Sequence, residues 1–241
     1  MMANIANIDA LDNVKIITWN LAGAGKVDTA YKIDKAIKEA DKLRVNVLVF
    51  QETKATSIDW IKSTIRRYDH QGWKVFECNN KSASRNGVAI LISTGNASGF
   101  KDIKEIYADS RTDHSWNWEK DTKSNTGRVI AASFMQGTSK YVIGCFYGPS
   151  SGDIDEKASF YKHYSDLLKQ YNDDNLILCG DWNTVEDPER DVTRIGEKDE
   201  NWYNNHQPLP EFMEFLVNHL VVDSYIMHEI EKGELDDDET R

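Results

Sequence analysis

The chain has 241 residues, 40% of them hydrophobic and 29% charged, with 29 basic against 40 acidic side chains and a formal net charge of −11. That length suits one large domain or two small ones, and the acidity argues against a protein that coats nucleic acid through general positive charge. No apolar stretch reaches about eighteen residues, so no membrane-spanning helix is expected. The three cysteines, Cys78, Cys145 and Cys179, are odd in number and read as reduced core thiols of an intracellular protein.

Residues 1–13 lack the basic and apolar regions of a secretory signal and read as a flexible N-terminus. A β-branched apolar run over residues 14–19 predicts the first strand. A helical pattern over 28–44 follows, with Ile33, Ala36, Ile37, Ala40 and Leu43 on one face. The run 45–50 predicts a strand, and 57–68 a helix carrying Ile58, Ile61 and Ile65. Strands are expected again over 73–77 and 87–93. Residues 107–125 then form a long polar loop of the kind that carries function. The runs 129–135 and 140–147 look like a hairpin. Asp153 and Glu156 open a helix over 153–171 with a capping box, and its stripe is Ala158, Tyr161, Tyr164, Leu168 and Tyr171. A strand over 176–179, a second long loop over 186–207 and a helix over 208–220 complete the predicted elements. That last helix has Leu209, Phe212, Met213, Leu216 and Leu220 as its stripe. Residues 229–241 carry seven acids against two bases and read as a disordered acidic tail, leaving 14–228 as the folded domain. Strands and helices alternating in this way predict an α/β domain in which two packed mixed sheets are flanked by helices.

Four predicted strands end in polar residues that a strand end does not need. The first stops at Asn20, the second at Gln51-Glu52-Thr53, the 140–147 run at Tyr147-Gly148-Pro149-Ser150, and the run 176–179 at Asp181 and Asn183. Alternation along an extended chain directs Asp181 and Asn183 to one face. If the four ends converge on one rim, they gather two carboxylates, two amides and a phenol. That inventory suits a divalent cation and a phosphate, because magnesium prefers one or two carboxylates with water and substrate oxygens completing its shell.

Six short motifs occur in order: Thr18-Trp19-Asn20, Gln51-Glu52-Thr53, Gly87-Val88-Ala89-Ile90, Gly127-Arg128-Val129, Tyr147-Gly148-Pro149 and Gly180-Asp181-Trp182-Asn183. With them the chain resembles the endonuclease/exonuclease/phosphatase (DNase I-like) family. The stretch from Asn183 to Asp191, with Leu220-Val221-Val222-Asp223-Ser224, resembles most the endonuclease domains of LINE-type retrotransposons. The resemblance implies a four-layer α/β sandwich and a Mg2+- or Mn2+-dependent enzyme that nicks DNA, nuclear if it serves a retroelement. It implies that Glu52 is the principal metal ligand, that Asn20 belongs to the metal site beside it and orients a metal-bound water, and that Asp181 aligns or deprotonates the attacking water. Asn183 would bind a non-bridging phosphate oxygen and Tyr147 the phosphate or leaving oxygen. Ser150 stands where many relatives carry a phosphate-contacting asparagine. Trp116 and Trp118, interleaved with Lys120 and Lys123, suit stacking against nucleic acid. The family's closing Ser-Asp-His motif has no counterpart, so a C-terminally incomplete fold with impaired activity is expected. A hydrolase of small phosphoesters and a non-catalytic remnant of the fold are the alternatives.

Overall fold

A computed structural model describes residues 14–22, 27–54, 60–67, 72–80, 86–95, 99–109, 127–149, 154–172, 174–184 and 209–219. In chain order the elements are β1 (Ile16–Asn20), α1 (Val27–Leu43), β2 (Val47–Gln51), α2 (Trp60–Arg67), β3 (Trp73–Cys78), β4 (Val88–Ser93), β5 (Phe100–Ala108), β6 (Val129–Gln136) and β7 (Ser139–Tyr147). Then come α3 (Ile154–Leu168) with a 3-10 turn (Lys169–Tyr171), β8 (Asn175–Asp181) and α4 (Pro210–Asn218). They form two compact units, one of residues 1–148 with 173–183, the other of residues 149–172 with 184–241.

The first unit contains two four-stranded mixed sheets, ordered β1-β2-β4-β3 and β5-β6-β7-β8. Each has one parallel pair, β1 with β2 and β7 with β8, and is antiparallel elsewhere. Strand β2, wholly buried, shows why its sequence is continuously apolar. Val47 and Val49 face the second sheet, in a core with Ile90, Ile130, Tyr141 and Ile143. Leu48 and Phe50 face the other way, against Ile33, Ile37 and Ile61 of α1 and α2. At about 25 cal/mol per Å² of apolar area removed from water, burial on both faces makes this strand a principal contributor to the unit's stability. Cys78 and Cys145 are buried thiols that form no disulfide, and Cys179 is half-buried.

The predicted stripe of α1 holds except at its end. Ile33, Ala36, Ile37 and Ala40 are buried, but Leu43 is 59% exposed. Arg44 turns the chain at φ 56°, leaving Leu43 in the last turn and off the sheet. Sequence periodicity misses β5 altogether. Its residues Phe-Lys-Asp-Ile-Lys-Glu-Ile-Tyr-Ala form an edge strand with two register shifts, and Asp102 lies at φ 50°. Bulges break the period-2 pattern, and charges such as Lys101, Lys104 and Glu105 suit an edge that must not pair further. Tyr107 and Ala108 accordingly belong to this strand rather than to the expected loop.

The second unit pairs α3 with α4. Tyr161, Tyr164 and Leu168 of the expected stripe are buried, with Tyr161 against Phe212 and Phe215 at ring-centroid separations of 4.9 and 6.1 Å. Phe215 is fully buried and anchors α4; the half-buried Leu216, named in the expected stripe, does not. Pro210 sits in the first turn, where its missing N–H costs nothing. His219 ends that helix, its Nδ1 2.8 Å from Asn172 Oδ1 and its Nε2 3.0 Å from Ser165 O. Burial pulls its pKa below 6.5. No described helix is long and apolar enough to cross a membrane.

Candidate active site

The two parallel strand pairs build the site. Only parallel neighbours finish at the same end, and the register pairs Asn20 with Gln51 in one sheet and Tyr147 with Asp181 in the other. Each sheet therefore contributes two polar strand ends, and hydrogen bonds tie the sheets together there. Asn20 Nδ2 donates to Glu52 Oε1 at 3.1 Å and across to Asp181 Oδ2 at 2.8 Å. Tyr147 OH donates to the same Glu52 Oε1 at 3.0 Å. One amide thus bridges two carboxylates separated by 129 residues of sequence, and Asn20 Oδ1 is fixed by the Ala22 N–H at 2.9 Å.

Glu52 sits in left-handed backbone, φ 51°, and Lys54 follows at φ 45°. Strain of this kind persists only where surrounding bonds hold it. Here Thr53 N–H donates to Gly87 O, and Lys54 N–H donates to Asn86 O, both at 2.9 Å. Gly87 is required: a Cβ on it would lie 2.2 Å from Thr53 Oγ1, and its φ is +96°. The Lys54 ammonium reaches Glu52 Oε2 at 2.7 Å. Burial pushes the Glu52 carboxyl upward, but donors from Lys54, Asn20 and Tyr147 and the Lys54 charge outweigh it, leaving the pKa below 4.5. Glu52 is therefore ionised at neutral pH.

Beneath the rim, buried Gln51 donates to Thr18 Oγ1 at 3.0 Å and to Cys145 Sγ at 3.5 Å, bridging the two sheets. Arg128 holds the β7 end, donating Nη1 to the carbonyls of Tyr147 and Gly148 at 3.1 Å each and stacking its guanidinium 5.2 Å from the Tyr147 ring centre. Asp109 in turn fixes the start of β6 by accepting from the N–H groups of Gly127, Arg128 and Val129 and from the Cys78 thiol.

Asn183 joins the site by a route different from the one expected. Strand β8 ends at Asp181, and Asn183 adopts φ 49°, so alternation along a strand no longer relates the two. Instead Asp181 Oδ1 accepts the Asn183 N–H at 3.1 Å in an Asx-type turn. Asn183 Nδ2 then donates to Gly148 O at 2.8 Å. Trp182 between them stacks on Phe146 at 5.1 Å, which is a packing role.

The structure thus brings together Asn20, Glu52, Tyr147, Asp181 and Asn183. Ser150, Trp116 and Trp118 lie outside the described residues, as do residues 1–13 and 220–241. Sequence pattern alone gives Lys54 and Arg128 no role. The available signals were a base two residues after Glu52 and the position of Arg128 inside Gly127-Arg128-Val129. Among the described residues no group of three His, Cys, Asp or Glu side chains forms a cage for a metal. The donor chemistry nonetheless fits a hard divalent ion that keeps most of its waters. Glu52 is ionised and already carries a cation on Oε2, and a second carboxylate stands one amide away.

Among solved structures the chain is similar to an AP endonuclease from Archaeoglobus fulgidus, with 19% identity and a TM-score of 0.57 over 86% of this chain and 70% of that one. It is also similar to the AP endonuclease LMAP from Leishmania major, with 15% identity and a TM-score of 0.59 over 86% of this chain and 66% of that one. At these identities the likeness shows the fold, an α/β arrangement of the DNase I type. Comparison with curated proteins returns no significant match. Residues 17–207 match the model of the endonuclease/exonuclease/phosphatase family, and the chain belongs to that family.

Proposed function

We propose that this chain is a metal-dependent phosphodiester hydrolase acting on DNA. The observation that carries the reading is the Asn20 amide shared between Glu52 and Asp181, with Tyr147 on the same Glu52 oxygen. Such a cluster is preorganised to meet the negative charge that grows on phosphate oxygens during hydrolysis.

Glu52 is the residue that would hold magnesium or manganese, with Asn20 keeping its carboxylate aimed. Bound there, the ion supplies Lewis-acid stabilisation of phosphate charge and eases deprotonation of water. Asp181, oriented by Asn20 Nδ2 on one oxygen and by the Asn183 N–H on the other, accepts the proton of the attacking water. The water oxygen bonds to phosphorus, the bond to the leaving oxygen breaks, and the leaving oxygen takes a proton from solvent water. The Asn183 amide, with one Nδ2 hydrogen on Gly148 O, donates the other to a phosphate oxygen. The Tyr147 hydroxyl, held from behind by Arg128, turns its single proton from Glu52 Oε1 to the phosphate when substrate binds.

The finer reading is a nicking endonuclease of retroelement origin that works in the nucleus. It draws its support from the sequence pattern of residues 183–191 and 220–224. Ser150, Trp116 and Trp118 are proposed substrate contacts on the same footing. The net charge of −11 favours a second reading, hydrolysis of small phosphoesters. Incubation with supercoiled plasmid and, separately, with nucleotide and inositol phosphoesters, in Mg2+, Mn2+ or EDTA, separates the two. The proposal expects metal-dependent nicking with little release from the small esters. The reverse pattern overturns the DNA reading, and inertness toward both leaves a remnant of the fold.

A further inference from the structure

If the proposed metal site is right, Lys54 has a second part to play beside Glu52. The two Glu52 oxygens have different partners. Oε1 takes two neutral donors, Asn20 Nδ2 at 3.1 Å and Tyr147 OH at 3.0 Å. Among the described residues Oε2 takes only the Lys54 ammonium, at 2.7 Å. Neutral donors on Oε1 orient the carboxylate without opposing a second cation on the other oxygen. A charged ammonium on Oε2 does oppose one, because two cations cannot share that lone pair at contact distance.

The backbone prepares this arrangement. Lys54 is anchored by its N–H on Asn86 O and held at φ 45°, and Glu52 is at φ 51°. Both side chains are thereby committed to the rim. The side chains themselves are accessible, 31% exposed for Lys54 and 16% for Glu52. An ammonium on a flexible four-carbon stem can leave such a site without moving the backbone, whereas a planar, bidentate guanidinium would resist. Asp181 stands close by through the shared Asn20 amide, so two carboxylates meet at the rim, and among the described residues Lys54 is the cation in contact with Glu52.

We propose that Lys54 is a resident counter-cation for Glu52 Oε2 which a divalent ion displaces, and that the released ammonium then binds the substrate's phosphate. Lys54 is thus a positioning residue for Glu52 before the ion arrives and a phosphate contact after it. It lowers the apparent affinity for the ion and raises that for the substrate, two effects of opposite sign that a merely structural lysine does not produce.

The test is calorimetric titration of Mn2+ into the full chain, comparing wild type with Lys54→Met, Lys54→Arg and Glu52→Gln, each first shown to unfold in urea like wild type. Lys54→Met is expected to bind Mn2+ roughly three- to tenfold more tightly, the scale of losing one partly exposed competing ion pair and its repulsion. The same variant is expected to show a raised KM for plasmid DNA. Lys54→Arg, which keeps the charge, should stay nearer wild-type Mn2+ affinity than Lys54→Met. Unchanged or weaker Mn2+ binding by a folded Lys54→Met protein overturns the inference while leaving the metal site intact. Undiminished Mn2+ binding by Glu52→Gln overturns the metal site itself, so the two failures are distinguishable.

Discussion

Replacing Gly180 by alanine is expected to part the strand pair that carries Asp181. Gly180 lies opposite Phe146 in the parallel register of β7 and β8. A Cβ built on it would stand 2.1 Å from the Phe146 carbonyl oxygen, 2.9 Å from its carbon and 3.0 Å from its nitrogen. Close carbon–oxygen contacts settle at about 3.3 Å, so β8 must move by roughly 1 Å, and the obstacle is backbone that cannot rotate away. Overpacking of this kind costs about 1–3 kcal/mol. A shift of about 1 Å also stretches the 2.8 Å bond from Asn20 to Asp181 and misplaces a reacting group enough to cost roughly 100-fold in rate. The assay is urea unfolding together with metal-dependent DNA hydrolysis. Gly95→Ala is the control, since its nearest obstacle is Ser93 Oγ at an ordinary 3.6 Å. A Gly180→Ala protein within about 0.5 kcal/mol of wild type and fully active would refute the reasoning.

Glu77, 1% exposed, accepts the Lys62 N–H near the start of α2, and burial raises its pKa to about 7. Its folded pKa exceeds the unfolded value, so its contribution is fully present below pH 4.5 and is lost as pH rises to about 7. That amounts to a decline on the order of 3 kcal/mol. Urea unfolding of wild type against Glu77→Gln between pH 4.5 and 8 should show that difference in slope, and parallel curves would contradict it. His219 has its pKa lowered, by burial first, so its contribution is present above pH 6.5 and lost as pH falls through the folded value. An NMR titration of the imidazole should place its midpoint below 6.5, and a midpoint above that would contradict the burial argument. Tyr147→Phe removes one donor from Glu52, with an expected stability loss of about 1 kcal/mol and a rate loss on the order of 100-fold. An unchanged rate would remove Tyr147 from the proposed chemistry.

Convergence of the four strand ends was readable from sequence because each polar group directly follows an apolar run, and parallel pairing carries both ends to one rim. Local pattern held no sign that one Asn20 amide would span Glu52 and Asp181, a contact made through three-dimensional closure of two sheets. Period-2 alternation does not relate Asn183 to Asp181, because the strand stops at Asp181 and an Asx turn begins there. Strand β5 escaped because its bulges and edge charges erase periodicity. Leu43 and Leu216 show the same limit in helices, where spacing identifies a face but not where the helix ends or which aromatic ring, here Phe215, fills the gap. The contact between Lys54 and Glu52 depends on two left-handed residues that neither propensity nor pattern foretells.

The most direct test of the central claim is nicking of supercoiled plasmid in Mg2+ by wild type, Glu52→Gln and Asp181→Asn proteins of equal urea stability, with EDTA as the blank. Wild type is expected to cleave in a reaction that EDTA abolishes and that both substitutions slow by at least about 100-fold. Cleavage that survives either substitution in a folded protein would contradict the assignment of this rim as the catalytic centre.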